Sequence, residues 1–294
     1  MQLPTTPIEV PPSWASLHAP QWRGLIMLIG GADVGKSTLA RYLCQEFLRA
    51  GVRTAYLDGD PGQSTLGPPA TMSLGMLELK DEGVVRCGKI WRAFIGSISP
   101  RGHMLQMLVA ASKLVPIARS EGAEAIIYDT TGFVDRTAGG LNLKWAKISL
   151  LRPKIVVALQ RRDELETLLT PLRYGRRTSV ITLEPSPYVQ PRDLDARRAH
   201  RAASFARYFG QPAEHILDIS QLAVFPPIPF TYNQLLALED RAGFVRGLGI
   251  LREVRPAGSL TILAPPIHME HITLIHPGEI CVDPRTFEDR RIPY

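Results

Sequence analysis

The first strong pattern in the chain is Leu25-Ile26-Met27-Leu28-Ile29, an unbroken apolar run that suits a strand covered on both faces. Residues 36–50 follow with helical spacing, placing Leu39, Leu43 and Phe47 on one face and Gly51 where a helix would end. Further short apolar segments predict strands at 53–57, 90–95, 125–128, 154–159 and 178–183, with an antiparallel excursion at 75–85. Helices are predicted between them at 104–118, 142–151 and 163–169. In the 104–118 helix, Met104, Leu105, Leu108, Val109 and Ala111 are expected on the packing side, and Pro116 is expected to kink or end it. Strands alternating with helices at this spacing predict an α/β fold built on a doubly wound parallel sheet.

The pattern changes at both ends. Residues 1–23 are rich in proline and carry Trp14 and Trp22, which predicts an extended arm packed through its aromatics onto a main domain spanning 24–220. From about residue 221 the β-branched segments 248–254, 260–263 and 272–275, punctuated by proline, predict a small β-rich module over 221–294. Between them, residues 190–210 form an arginine-bearing helix, with Arg197 and Arg201 four apart on one face and Arg198 adjacent.

With 294 residues and 45% hydrophobic content, the chain is long and apolar enough for a large core. It has no run of the ~18 apolar residues that a bilayer span needs. The proline-rich N-terminus lacks the pattern of a secretory signal, so a cytoplasmic protein without a membrane partner is expected. Cys44, Cys87 and Cys281 are widely separated and odd in number, as reduced buried thiols would be. The net charge of +6 comes chiefly from arginine, a balance compatible both with a nucleic-acid partner and with an ordinary solvated surface.

Candidate chemistry gathers where strands end. Gly30-Gly31-Ala32-Asp33-Val34-Gly35-Lys36-Ser37-Thr38 fits G-x-x-x-x-G-K-[ST], a phosphate-binding loop placed between an apolar strand and a helix as that motif requires. Its backbone would cradle a triphosphate, Lys36 would reach the terminal phosphates, and Ser37 would ligate Mg²⁺. Asp129 closes the 125–128 strand, the position from which a carboxylate holds Mg²⁺ directly or through water. Asp58 and Asp60 follow the 53–57 strand, where a carboxylate can accept a proton from an attacking hydroxyl or orient the metal, although Asp58-Gly59-Asp60-Pro61-Gly62 also suits an ordinary turn. Guanidinium groups of Arg197 and Arg201 can neutralise charge on a transferring phosphoryl group. His268 and His271 are three apart in a predicted strand, so with His276 they are not expected to share a metal.

Taken together, these motifs resemble the polynucleotide 5′-hydroxyl kinase family, whose members include the kinase subunit of the pre-mRNA cleavage machinery, ribosomal-RNA-processing kinases and archaeal relatives. The residues that carry the likeness are the loop at 30–37, Asp58-x-Asp60-Pro-Gly-Gln63, Gly96-Ser-x-Ser99-Pro100, Asp129-Thr-x-Gly132-Phe-Val, and the segment from Arg192 to Gly210. The resemblance implies a P-loop fold and transfer of the γ-phosphate of ATP, or another nucleoside triphosphate, to a 5′-hydroxyl end of RNA or DNA, with Mg²⁺, in RNA processing or nucleic-acid repair. It implies Asp60 as general base or magnesium-linked carboxylate, with Ser37 and Asp129 on the metal. Gln63 and Thr131 would lie near the reacting phosphate, with Asp58, Arg192 and Arg198 also toward the substrate. Arg197 and Arg201 would form a lid. Phe133 stands where many relatives have tryptophan, a base-stacking position.

The rival reading is a regulatory or metallocentre-assembly ATPase or GTPase, in which Asp129-Thr-Thr-Gly is a nucleotide-sensing switch. Against the GTPase form, Asn142-Leu-Lys-Trp145 lacks the aspartate of a guanine-reading segment, and the arginine helix has no part in that scheme. A small-molecule kinase is a third reading, separated by preference for nucleosides over oligomers.

Overall fold

The computed structural model describes residues 7–80, 85–256 and 258–292. Residues 1–6 of the expected arm, 81–84 of the expected excursion, and 257, 293 and 294 of the expected C-terminal module lie outside the described residues. The chain divides into two compact units, Met1–Asp60, Ser73–Ile90 and Pro100–Arg192 forming one, and Pro61–Met72, Trp91–Ser99 and Asp193–Tyr294 the other.

In chain order the first half contains α1 (Pro12–Ala15), β1 (Gly24–Gly30), α2 (Lys36–Arg49), β2 (Thr54–Gly59), β3 (Thr71–Leu79), β4 (Val85–Phe94), α3 (Met104–Ser120), β5 (Ala125–Thr130), α4 (Gly140–Leu151), β6 (Ile155–Leu159), α5 (Glu166–Gly175) and β7 (Ser179–Leu183). Their sheet runs β4-β3-β2-β5-β1-β6-β7. The β2, β5, β1, β6 and β7 pairings are parallel, and β3 returns antiparallel to β2. Because helices cover the sheet, β1, β2, β5 and β6 are buried along nearly their whole length, which is why they read as continuous apolar runs. Leu39, Leu43 and Phe47 of α2 are fully buried as its spacing predicts, and Gly51, at φ 73°, terminates the helix.

Three local expectations are corrected. Helix α3 continues through Pro116 to Ser120, and the face it buries is Met107, Ala110, Ala111, Leu114, Val115 and Ala118. Leu105 and Val109 are exposed, because a mostly apolar helix offers several plausible stripes and its neighbours select one. Helix α5 starts at Glu166 rather than 163, because Glu164 instead accepts from the Arg161 and Arg162 backbone amides, and it runs on to Gly175. The N-terminal arm is not simply extended: Trp14 lies on the single turn α1, 1% exposed, with its ring 5.9 Å from that of Tyr42 on α2.

The second unit contains α6 (Leu194–Phe209), β8 (Ala213–Asp218), β9 (Ala223–Val224), β10 (Gln234–Glu239), β11 (Val245–Arg255), β12 (Ser259–Ala264), β13 (Leu274–Val282) and β14 (Asp289–Arg291). Its antiparallel sheet runs β14-β13-β10-β11-β12-β8, with β9 parallel to β13. The division falls at Asp193, earlier than the boundary at 220 read from composition, since α6 and β8 both belong to this unit. One sheet face buries Leu235, Ala237, Leu248, Ile250, Ile280 and Val282 with Phe205 and Phe209 of α6. Leu236, Leu238, Leu251, Leu260, Ile262 and Ile275 form a second cluster on the alternate positions.

No helix among the described residues is long and apolar enough to cross a membrane. The tie between the arm and α2 has a measurable consequence. Trp14→Ala should lower unfolding stability in urea by about 3–5 kcal/mol, the usual loss for a buried aromatic; a change below about 1 kcal/mol would show that the arm is not part of the core.

Candidate active site

Strands β1, β2 and β5 end side by side, which brings the polar residues beyond them together. Leu28 is the register partner of Asp129, and Asp129 of Asp58. The loop leaving β1 turns through Asp33 at φ 50° and Gly35 at φ 93° into α2. A side chain at Gly35 would meet Val189 at 3.0 Å as well as demand a left-handed backbone, so glycine is required there. Gly35 caps α2 with no side-chain hydrogen bond, and the first helical amides are therefore presented to the loop, the arrangement that receives phosphate. Val34 is fully buried, Gly31, Asp33, Ser37 and Thr38 are half-buried, and Ala32 is exposed at the loop tip. Arg161, beyond β6, donates from Nη2 to the Asp33 carbonyl at 2.7 Å and braces the loop.

Lys36 is buried and its Nζ donates to the Gly31 carbonyl at 2.5 Å. Burial pushes its pKa below the ordinary lysine value, while Asp129, Asp60 and Asp33 oppose that shift and Arg161 adds to it. Asp129 is 2% exposed; its Oδ2 accepts from the Tyr56 hydroxyl at 3.3 Å, whereas its Oδ1 is buried with no hydrogen-bond partner among the described residues. Burial pushes the Asp129 carboxyl up to about 7. Lys36 and Ser37 pull it down, and Asp58 and Asp60 push it further up. Asp58 is buried at the end of β2 and its Oδ1 accepts from the Asp60 amide at 3.3 Å. Asp60 is half-buried and near enough for its charge to act on Lys36, Asp129, Lys144 and Lys147.

Beyond β5, Gly132 passes directly against the phosphate loop. A Cβ on Gly132 would lie 2.7 Å from the Ala32 Cα and 2.8 Å from its amide nitrogen. Phe133 follows, half-buried, with the Arg101 guanidinium 5.9 Å from its ring centroid. Arg101 also pairs with Asp135 at 3.0 Å, and Asp135 accepts from Thr137 and Ala138 to fix the turn into α4.

The other expected residues lie at or beyond the boundary between the two units. Arg192 is the exposed last residue of the first unit. In the second, Gln63 donates from Nε2 to the Arg197 carbonyl at 3.3 Å, and His200 reaches the Ser64 carbonyl at 3.0 Å, so the turn after Asp60 is fastened to α6. Arg201 is paired with Asp289 of β14 at 2.6 Å with both side chains largely buried, and its Nη1 donates to the Arg197 carbonyl. Arg198 is exposed beside Asp195. Arg198 and Arg201 thus pair with different carboxylates. His268 precedes and His271 ends a 3₁₀ turn, so neither sits in a strand, and His276 on β13 lies 3.4 Å from Glu239.

Sequence reasoning passed over Lys144 and Lys147, both completely buried on the inner stripe of α4 between Leu141, Ile148 and Leu151. Lys144 donates to Thr130 Oγ1, Thr131 O and Thr131 Oγ1, while the Lys147 Nζ has no hydrogen-bond partner among the described residues and stands 5.1 Å from the Tyr128 ring centroid. The legible signal was two lysines three apart on an otherwise apolar face.

Ser37, Asp60 and Asp129 make a hard-oxygen set suited to Mg²⁺, and the partnerless Asp129 Oδ1 is an acceptor that such an ion would satisfy. Among the described residues no group of three or more His, Cys, Asp or Glu could hold a metal by itself. That fits a cation that keeps water and phosphate oxygens as its other ligands.

The model of the mRNA cleavage and polyadenylation factor CLP1 P-loop family matches residues 30–211, more than half of the chain. The chain belongs to the CLP1 P-loop family. It is 33% identical over 184 residues to a polyribonucleotide 5′-hydroxyl-kinase of Methanocaldococcus jannaschii, covering 63% of this chain and 50% of that one. A protein of the same name from Thermococcus kodakarensis is 33% identical over 226 residues, 75% of this chain and 62% of its own length. The one from Pyrococcus horikoshii is 26% identical over 87% of this chain and 85% of its own. The chain thus spans about half the length of the first of these relatives. Among solved structures, Clp1p in complex with Pcf11p aligns with a TM-score of 0.68 at 16% identity, over 89% of this chain and 75% of Clp1p, a likeness of fold.

Two outcomes follow from the family member's buried site. Gly132→Ala should abolish binding of a fluorescent nucleotide analogue, because the new methyl meets backbone of the phosphate loop; unchanged affinity would contradict that contact. Burial, opposed by Asp60, pushes Lys147 down to about 7, below its unfolded value, so it destabilises the fold at every pH at which the unfolded chain holds the proton. That penalty is complete below about pH 7 and fades as pH rises toward the unfolded value near 10. Lys147→Met should therefore raise the melting temperature relative to wild type at pH 7, by a margin that shrinks at pH 10; a margin independent of pH would show that Lys147 is not buried as an amine.

Proposed function

We propose that this protein is a polynucleotide 5′-hydroxyl kinase, transferring the γ-phosphate of ATP or another nucleoside triphosphate to the 5′-hydroxyl of RNA or DNA. The observation that carries the reading is the gathering of Lys36, Asp58, Asp60 and Asp129 at the ends of three adjacent strands beneath a phosphate loop. The names of the relatives support the same chemistry and favour RNA as acceptor.

Each residue has a role that its chemistry allows. The loop amides and Lys36 hold the triphosphate, and Ser37, Asp60 and Asp129 provide the oxygens for Mg²⁺, which when bound neutralises charge on the phosphate oxygens. Asp60, the least buried of the three aspartates, accepts the proton of the attacking 5′-hydroxyl. Thr131 and Gln63 bind near the transferring group, Phe133 offers a face for the terminal base, and Asp58, Arg192 and Arg198 serve the acceptor side. Arg197 supplies the cation to the transferring phosphoryl group. Arg201, which pairs with Asp289 in this structure, serves with Arg197 as the second arginine of the lid.

The test is transfer of labelled phosphate to matched RNA and DNA oligonucleotides bearing 5′-hydroxyl ends. Wild type should label them, with RNA preferred. Lys36→Ala and Asp60→Asn should each lose ~10³-fold or more in rate, and Arg197→Ala a similar factor. A folded protein that hydrolyses nucleotide but labels no oligonucleotide would overturn the assignment.

A further inference from the structure

Resting on the kinase reading, we propose that Lys144 is a positioning residue for phosphoryl transfer, which holds the Thr131 hydroxyl so that its proton points to an acceptor outside the fold, a phosphate oxygen. Lys144 is 0% exposed, and its Nζ makes three donations, to Thr130 Oγ1 at 2.8 Å, Thr131 O at 2.6 Å and Thr131 Oγ1 at 3.2 Å. Burial pushes the pKa of this amine well below the ordinary lysine value, and the hydrogen bonds that the Nζ makes all go to the two threonines that end β5.

The two threonines are left in different states. Thr130 accepts from Lys144 and donates its own proton to the Leu28 carbonyl at 2.7 Å, which pins β5 to β1. Thr131 Oγ1 accepts twice, from Lys144 and from the Phe133 amide at 3.4 Å. Both lone pairs are thus engaged, so the hydroxyl can act only as a donor. Among the described residues nothing accepts that proton, although Thr131 is 2% exposed. A buried hydroxyl with an uncommitted proton is a donor awaiting an acceptor. The adjoining residue, Gly132, lies against the backbone of Ala32 in the phosphate loop, so the acceptor chemistry offered there is phosphate. The charges acting on Lys144 are those of Lys147, Lys36, Asp60 and Asp129, all members of the same cluster.

A lysine that only supported the fold would change stability and leave the transfer step alone. A positioning lysine changes kcat, because a donor aimed at the reacting phosphate acts in the transition state. Lys144→Met should lower kcat for labelling a 5′-hydroxyl oligonucleotide by about 10- to 100-fold, with the oligonucleotide KM and the affinity for a non-hydrolysable ATP analogue within about threefold of wild type. Thr131→Val should show the same loss, Thr131→Ser should keep most of the rate, and Lys144→Met combined with Thr131→Val should fall no further than either alone. Losses that multiply, or a change confined to KM, would overturn the proposal. If Lys144→Met does not fold, the comparison of Thr131→Val with Thr131→Ser decides, and equal rates overturn it. A wild type that labels nothing removes the kinase reading and this inference together, whereas an active wild type with an undiminished Lys144→Met removes this inference alone.

Discussion

The arrangement at the ends of β1, β2 and β5 depends on one electrostatic constraint: ionisable groups of both signs are withdrawn from water together. Lys36, Lys144 and Lys147 stand among Asp58, Asp60 and Asp129, and all but Asp60 are less than a tenth exposed. Each would be prohibitively costly alone, and each is tolerable because a group of opposite sign lies within reach. The directions of the pKa shifts record that balance, since burial disfavours charge on Lys36 and Asp129 while each of the two favours charge on the other. A site built this way is poised for a highly charged ligand. Among the described residues, the Asp129 Oδ1 and the start of α2, which has no side-chain cap, are two places at this site where polar groups are left unsatisfied.

The second unit solves a different problem with one helix. Phe205 and Phe209 of α6 sink into the core of the antiparallel sheet, and the Tyr208 hydroxyl accepts from the Leu248 amide, so one stripe of the helix is fixed. The arginines occupy the remaining faces. Among them Arg201 pairs with Asp289 in a largely buried geometry, whereas the Arg197 carbonyl receives Gln63. Removing Asp289 would leave the Arg201 charge without its partner, which links a residue near the end of the chain to the arginine segment of the family.

Most of the first sheet was legible because its physics is local. An apolar run followed by a glycine loop and a helix whose Leu39, Leu43 and Phe47 repeat every four residues leaves little choice of structure. Where choice existed, the reading failed in an explicable way. Helix α3 has apolar residues nearly all round, so sequence could not tell that Leu105 would face solvent and Leu114 the core. Strand β10 was missed because Gln234–Glu239 is buried on both faces and shows no alternation. The boundary at 220 was misplaced because the partner of β8 is β12, some forty residues later, a pairing that no local pattern announces. At the site, the loop and the aspartates announced themselves by motif. Lys144 and Lys147 did not, because their meaning lies in what α4 packs against, and a lysine in sequence reads as surface.

The central claim is that Ser37, Asp60 and Asp129 hold a divalent cation on a triphosphate seated in the phosphate loop. Its most direct test replaces Mg²⁺ with Mn²⁺ and follows, by electron paramagnetic resonance, the fraction of metal bound in the presence of a non-hydrolysable ATP analogue. The account predicts that wild type binds the metal tightly only with nucleotide present, and that Asp129→Asn weakens that joint binding by about tenfold or more. Equal metal binding by wild type and Asp129→Asn, or binding independent of nucleotide, would contradict it.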